Sequence, residues 1–226
     1  MSTITKTPVM RSAAHRSHLD LGATFEARGA WEVPASYGPE AAETEAIRSG
    51  LAVADISARA KLHLSGSIDA VVRRMAGGDV DPTRMAAITS GGVVARVARD
   101  FALALFEPSA ETDALTALEG ELTGDAMATD ATSALSGYMV AGPLVKQLFA
   151  RSVTVDVEEI QAGRCLGTRW AHIPAVLVVS TPAAPIVEIY VGSEYGRYAW
   201  STLLELGNKL GGIPVGWKAI EASGWR

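Results

Sequence analysis

His15 and His18 stand three positions apart, a spacing that puts both on one face of a helix, as two ligands of one metal ion would need. No third ligand follows at a telling distance, so the pair reads as solvated or helix-capping histidines, and no metal is expected. His63 alternates with strand leucines and His172 precedes Ile173-Pro174, which makes structural roles the expectation for both. Cys165, the single cysteine, lies between Arg164 and Leu166. The neighbouring cation would favour a thiolate, whereas a lone cysteine more often packs as a small buried hydrophobe. Trp31, Tyr37, Tyr138, Trp170 and Tyr198 are large enough to line a cavity for a flat heterocycle with a polar edge, with core packing as the competing use. Dinucleotide-binding, P-loop, nucleophile-elbow and zinc-protease motifs do not occur.

The elements that must position these residues show a repeated plan. A helix is predicted over 39–49, with Gly50 as its left-handed closing residue. The run Ala60 to Ser65 alternates like a half-buried strand, and after Gly66 the residues Ile68, Val71, Val72 and Met75 follow the spacing of one helix face. A hairpin follows, with strands at 93–97 and 101–105, and then a helix carrying Leu115, Leu118 and Leu122 and ended by Gly124. The strand, glycine and helix return at Tyr138 to Ala141, Gly142, and Leu144, Val145, Leu148 and Phe149. Strands at 153–157, 177–180 and 187–191 and a last helix over 194–206, closed by Gly207, complete the chain. The expected fold is α+β, two similar halves with mixed or antiparallel sheets. Residues 1–10 are expected to be a loose leader and 11–226 a single domain.

Of the 226 residues 48% are hydrophobic and 20% charged, which excludes a disordered or fibrous chain. The formal charge of −5 gives no excess of cations for nucleic acid or an anionic membrane surface. The longest apolar run, Ile173 to Val179, is far too short to span a bilayer, and the lone cysteine suits a reducing compartment; a cytoplasmic protein is expected.

The stretch Gly29-Ala-Trp-Glu-Val-Pro-Ala-Ser-Tyr-Gly38, then Glu45-Ala-Ile-Arg48 and Gly50-Leu-Ala-Val-Ala-Asp-Ile-Ser57, resembles the opening of the folate-binding domain of the glycine-cleavage T-protein (aminomethyltransferase) family. Lys61 to Gly66, Gly91-Gly92, Ala141-Gly142-Pro143 and Val187-Glu-Ile-Tyr-Val191 on to Trp200 follow in the family order. Gly163-Arg-Cys165 with Ala175-Val-Leu177 is also similar to the gamma subunit of heterotetrameric sarcosine oxidase. The resemblance implies a duplicated α+β fold without the C-terminal barrel of full-length relatives.

It also implies a site that this chain has changed. Where the family places its catalytic aspartate after a glycine pair, Gly91-Gly92-Val93-Val94 is followed by Ala95 and Arg96. An alanine can neither accept a proton nor stabilise an ammonium, and an arginine inverts the charge. The loop whose carboxylate holds the pterin in relatives corresponds to Ser180-Thr-Pro-Ala-Ala184, with Pro182 and Pro185 restricting it, and Ala219-Ile-Glu221 replaces an arginine-bearing tripeptide. No catalytic residue is therefore assigned. Trp31, Tyr37, Arg96, Tyr138 and Glu188 are the candidates for contacts to tetrahydrofolate, which is expected to bind weakly if at all.

The implied function is a non-catalytic or partner-dependent subunit of a tetrahydrofolate-linked one-carbon transfer or demethylating complex. Its partner would be a larger oxidase, a demethylase, a second folate-domain subunit or a further copy of the chain. A stand-alone transferase using Arg96, Tyr37 or Glu188, or a small-molecule binding module, remain as alternatives. Trp217, Ile220 and Trp225 are expected to leave apolar surface near the end of the chain, where such a partner would dock.

Overall fold

The computed structural model describes residues 9–180 and 185–225. Among them no helix is long and apolar enough to cross a membrane. A small sheet at the start of the chain consists of β1 (Met10–Arg11), β2 (Thr24–Arg28) and β3 (Trp31–Ser36) in the order β1-β3-β2, with α1 (His15–Asp20) between its first two strands. After α2 (Glu40–Ser49) and β4 (Ala52–Asp55) come two runs with the same connections. The first is β5 (Ala60–Ser65), α3 (Asp69–Ala76), β6 (Arg84–Ala87), β7 (Val93–Ala98), β8 (Phe101–Phe106) and α4 (Glu111–Leu118). After β9 (Met127–Asp130) the second is β10 (Leu135–Ala141), α5 (Val145–Phe149), β11 (Cys165–Trp170), β12 (Ile173–Ser180), β13 (Ile186–Gly192) and α6 (Gly196–Asn208). A short β14 (Ile213–Pro214) and α7 (Trp217–Ala222) follow.

The sheet orders repeat as well: β6-β7-β8-β5-β9 in one half and β11-β12-β13-β10-β4-β14 in the other. In each, three antiparallel strands fold back so that the first strand of the run lies beside the last. The fold is thus α+β and built on one plan used twice.

Strand alternation sorts the apolar residues into three layers. Leu62, Leu64, Ala102 and Ala104 pack under α3 with Val71, Val72 and Met75. Val140, Val187 and Ile189 pack under α5 and α6 with Leu148 and Trp200. Between the two sheets lie Ala95, Leu103 and Leu105 from one and Met139, Ala141, Val178 and Tyr190 from the other. Both sheets are therefore covered on both faces, and any polar side chain pointing between them has to find a partner inside the protein.

Several expectations change. Gly50 has φ −116°, so it is not a left-handed cap; its carbonyl lies where a Cβ on Gly142 would fall, which constrains position 142 to glycine. Val153 makes only an isolated bridge to Trp170, and Val157–Glu159 is a 3-10 turn rather than the end of a strand. The helix α4 stops at Leu118, short of Leu122 and Gly124. Gly207 lies inside α6, where an added Cβ would make only an ordinary contact with Val53. Trp217, Ile220 and Trp225 do not form the expected exposed apolar surface: they are only 3%, 1% and 8% exposed, because α7 folds back between α2 and β3 into the inter-sheet layer.

Candidate functional site

The inter-sheet layer holds a buried ion pair. Arg59, in the turn between β4 and β5, donates from Nη1 to Glu188 Oε2 at 2.6 Å, and Tyr190 Oη donates to the same oxygen. Glu188 and Tyr190 alternate with Ile189 along β13, so they share the face that looks towards the first half. Burial alone would weaken the charge on Arg59, but Glu188 outweighs it and raises the pKa of the guanidinium. The Trp225 ring lies 4.9 Å from the guanidinium carbon of Arg59, a cation–π contact that covers the pair. Beside Arg59, the fully buried Lys61 donates from Nζ to the carbonyls of Ser57 and Arg59 at 2.8 and 2.7 Å. Burial pushes its pKa down to about 7.

Trp225 also lines a cleft of about 370 Å3, together with Glu107, Trp217, Ile220 and Glu221. Arg28 packs on the Trp217 ring at 5.0 Å and pairs with Glu221, and the Trp217 indole N–H donates to the Asp55 carbonyl at 3.0 Å. The cleft therefore combines two indoles with two carboxylates and sits directly over the Arg59–Glu188 pair.

A second polar network lies on the opposite side of the β10 sheet. Tyr37 Oη is 2.7 Å from His18 Nδ1, and His18 Nε2 is 2.7 Å from Asp55 Oδ2. Trp200 stands edge-on to His18, with ring centroids 4.6 Å apart. Burial would raise the Asp55 pKa, but the hydrogen bond and charge of His18 hold it below the usual carboxylate value. His18 is thus neither solvated nor a cap, as its spacing from His15 had suggested. It is buried beneath α6 and ties α1 to β4, and no metal-binding group of three such ligands occurs among the described residues.

The five candidate contact residues are not brought together. Glu188 belongs to the buried pair. Tyr37 and Tyr138 flank Trp200 below the second sheet, where Tyr138 Oη donates to the Gly196 carbonyl at 2.7 Å. Trp31 is buried in β3. Arg96 points under α3, donating to the Val80 and Arg99 carbonyls at 2.9 and 2.8 Å and to Asp69, while Ala95 faces the inter-sheet layer with no exposed surface. Trp170 is core, Tyr198 is exposed, and the Cys165 thiol is buried with its pKa pushed up to about 12 by burial. Residues 181–184, which include Pro182 and Ala184, lie outside the described residues. The sequence reading gives Arg59 and Lys61 no role of their own; the available signal was two cations alternating with alanines, Ala58-Arg59-Ala60-Lys61, at the entry to β5.

A model of the GCVT N-terminal domain matches residues 14–223. The chain belongs to the GCVT N-terminal domain family. Aminomethyltransferases of Bacillus mycoides (strain KBAB4) and Streptomyces coelicolor are each 25% identical to it, over 83% and 94% of this chain. The chain spans 56% and 61% of the lengths of those two relatives. Among solved structures, the glycine cleavage system aminomethyltransferase T from Bartonella henselae superposes with a TM-score of 0.79 at 15% identity, covering 93% of this chain and 60% of that one. A chain of the heterotetrameric sarcosine oxidase from Corynebacterium sp. U-96 superposes at 0.61 with 18% identity, covering 76% of this chain and 92% of that one. These likenesses show a GCVT-type fold, in which this chain carries Ala95 and Arg96 on opposite faces of β7.

Proposed function

We propose that this GCVT-family chain is a partner-dependent, non-catalytic subunit of an assembly that carries out tetrahydrofolate-linked one-carbon transfer or demethylation. The observation that supports it most directly is that the carboxylates at and beneath the cleft, apart from the exposed Glu107 at its rim, are already committed. Glu188 is held by Arg59 and Tyr190 and Glu221 by Arg28, while Arg96 lies away from the cleft under α3, held by Asp69 and two carbonyls. A transferase needs a carboxylate free to stabilise positive charge as it develops, which typically contributes a factor of about a hundred or more. Ala95 supplies none. Folate fits this cleft poorly for the same reason: the donor edge of a pterin would face Glu107, which is exposed, and find the buried carboxylate already paired. Leaving such donors unpaired costs about 1 to 3 kcal/mol.

The test is twofold. The purified protein, given tetrahydrofolate and an aminomethyl donor, is expected to show no turnover above the buffer blank and to bind tetrahydrofolate with a Kd no tighter than roughly millimolar. Native protein in extracts of its host is expected to elute, by size exclusion with immunodetection, well above the size of a single chain. Turnover at ordinary enzymatic rates, or a native particle the size of one chain, would overturn the proposal.

A further inference from the structure

Trp200, fully buried on α6, stands between two tyrosines that differ in their proton acceptors. Tyr37 is stacked with it at 6.5 Å between ring centroids, and Tyr138 lies at 5.8 Å. The Tyr138 hydroxyl donates to the Gly196 carbonyl, which accepts a hydrogen bond but does not take the proton. The Tyr37 hydroxyl instead meets His18 Nδ1 at 2.7 Å, and an imidazole can take the proton outright. Asp55 fixes the tautomer of that imidazole. One of its carboxylate oxygens accepts the Ser57 N–H at 2.9 Å, and the other faces His18 Nε2 at 2.7 Å, so Nε2 carries the hydrogen. Tyr37 Oη has no other acceptor among the described residues, so its O–H donates to Nδ1 and the ring between them is neutral. Burial, with the charges of Asp55 and Glu43, raises the Tyr37 pKa, and the phenol keeps its proton at rest.

These acceptors decide where a missing electron comes to rest. Electron transfer needs no opening to solvent, but the loss of an electron makes the N–H of an indole or the O–H of a phenol strongly acidic. The proton must then find a base inside the protein. The Trp200 indole N–H is buried without an acceptor among the described residues, so its radical cation keeps its proton and stays strongly oxidising. Tyr138 can offer its proton only to a carbonyl. Tyr37 can pass its own to His18, where the Asp55 carboxylate stabilises the imidazolium that forms. The step balances as Trp200 radical cation plus Tyr37 phenol giving Trp200, a neutral Tyr37 phenoxyl radical and protonated His18. The electron crosses between the stacked rings while the proton moves along the hydrogen bond to Nδ1. Tyr190 also faces a base, Glu188, but protonating that carboxylate would break its buried ion pair with Arg59.

We infer that Tyr37 is a redox-active tyrosine, the place where an oxidising equivalent delivered to the Trp200 cluster by a radical-type one-electron oxidant is held, with His18 as its proton acceptor. The inference is independent of the subunit proposal. Pulse radiolysis of the full chain with azidyl radical tests it, in a background carrying Tyr195→Phe and Tyr198→Phe to remove the two exposed tyrosines. Indolyl absorption is expected to decay as tyrosyl absorption grows, at a rate independent of protein concentration. Tyr37→Phe is expected to remove most of the tyrosyl signal, and Tyr138→Phe, which changes a ring just as close to Trp200, to leave it. Asp55→Asn probes the relay itself. With its oxygen kept towards the Ser57 N–H, the new amide turns its NH2 towards Nε2 and moves the imidazole hydrogen to Nδ1, which can then accept nothing. Transfer to Tyr37 is expected to slow about a hundredfold in a protein whose circular dichroism is unchanged. A tyrosyl signal that survives Tyr37→Phe, or that falls equally in Tyr138→Phe, would overturn the inference. So would a parent without tyrosyl growth, or a folded Asp55→Asn protein that transfers at the parent rate. Were Asp55→Asn not to fold, the two phenylalanine variants decide the matter alone.

Discussion

Glu43 and Gly216 are 173 positions apart in sequence, yet the buried carboxylate of the first accepts the backbone N–H of the second at 2.7 Å. The other Glu43 oxygen accepts the N–H groups of Tyr37 and Gly38 at 2.6 and 2.8 Å. One side chain in the first turn of α2 thus fixes both the exit from β3 and the entry to α7, the helix that supplies Trp217 to the cleft. Glu43→Ala would leave three backbone donors without their acceptor, and a loss of about 3 kcal/mol is expected, read as a lower urea midpoint at unchanged slope. Glu43→Gln keeps one acceptor oxygen and should cost about half as much. A midpoint unchanged in Glu43→Ala would show that water replaces the carboxylate and that the clamp contributes nothing.

Gly66 and Gly142 occupy matching places, each between the first strand of its half and the following helix, with φ of +87° and +115°. A Cβ would strike the Asp125 carbonyl in one case and the Gly50 carbonyl in the other. Alanine at either position should therefore cost more than the roughly 1 kcal/mol of a left-handed conformation alone, on the order of 2 to 4 kcal/mol. Gly124→Ala provides the comparison, since Gly124 has φ +65° and nothing within 4 Å of its Cβ position. Thermal denaturation in which all three variants lose the same amount would remove the steric half of this account.

These two glycines also mark what the sequence makes legible. Each repeated unit contains an amphipathic helix of clear period after a glycine, so α3, α5 and the duplication can be read directly. The strand β4 could not, because Ala52 to Asp55 are buried on both faces and show no alternation. Strand β3 is obscured by Pro34, tolerated there because β1 pairs only with Trp31 and Glu32 and asks nothing of the Pro34 nitrogen. The site was harder still. Arg59 meets Glu188 across 129 positions, and no local spacing encodes that meeting. The fate of the C-terminal tryptophans depended on where α7 lands, which the Glu43–Gly216 contact decides and an apolar count does not.

Cys165 donates its thiol to the Arg84 carbonyl at 3.2 Å, and burial, which outweighs the opposing charge of Arg164, raises its pKa to about 12. The thiolate is the reactive form, so the folded protein should be inert to a disulfide reagent at pH 8 and react with one equivalent in urea. Rapid labelling without denaturant would mean that the junction between β6 and the Arg164 region opens in the native state.

Lys61 gives stability a dependence on pH whose sign can be worked out. Its ordinary value is 10.5 and burial lowers it to about 7 in the folded protein, so between these values the unfolded chain holds more protons. Stability from this group therefore rises with pH across that window, by up to about 1.4 kcal/mol per unit, and below pH 7 the buried charge is at its most unfavourable. Lys61→Met keeps the length of the side chain and removes the titration. Urea unfolding from pH 6.5 to 10 should show the variant at its best relative to the parent at the low end, with the parent gaining steadily as pH rises. At the high end the variant should be the weaker protein, because the Ser57 and Arg59 carbonyls have lost the donor that shapes the turn presenting Arg59 to Glu188. Parallel curves for the two proteins would mean that the ammonium keeps its ordinary affinity for the proton inside the fold, and that Arg59 is held in place by Glu188 and Trp225 alone.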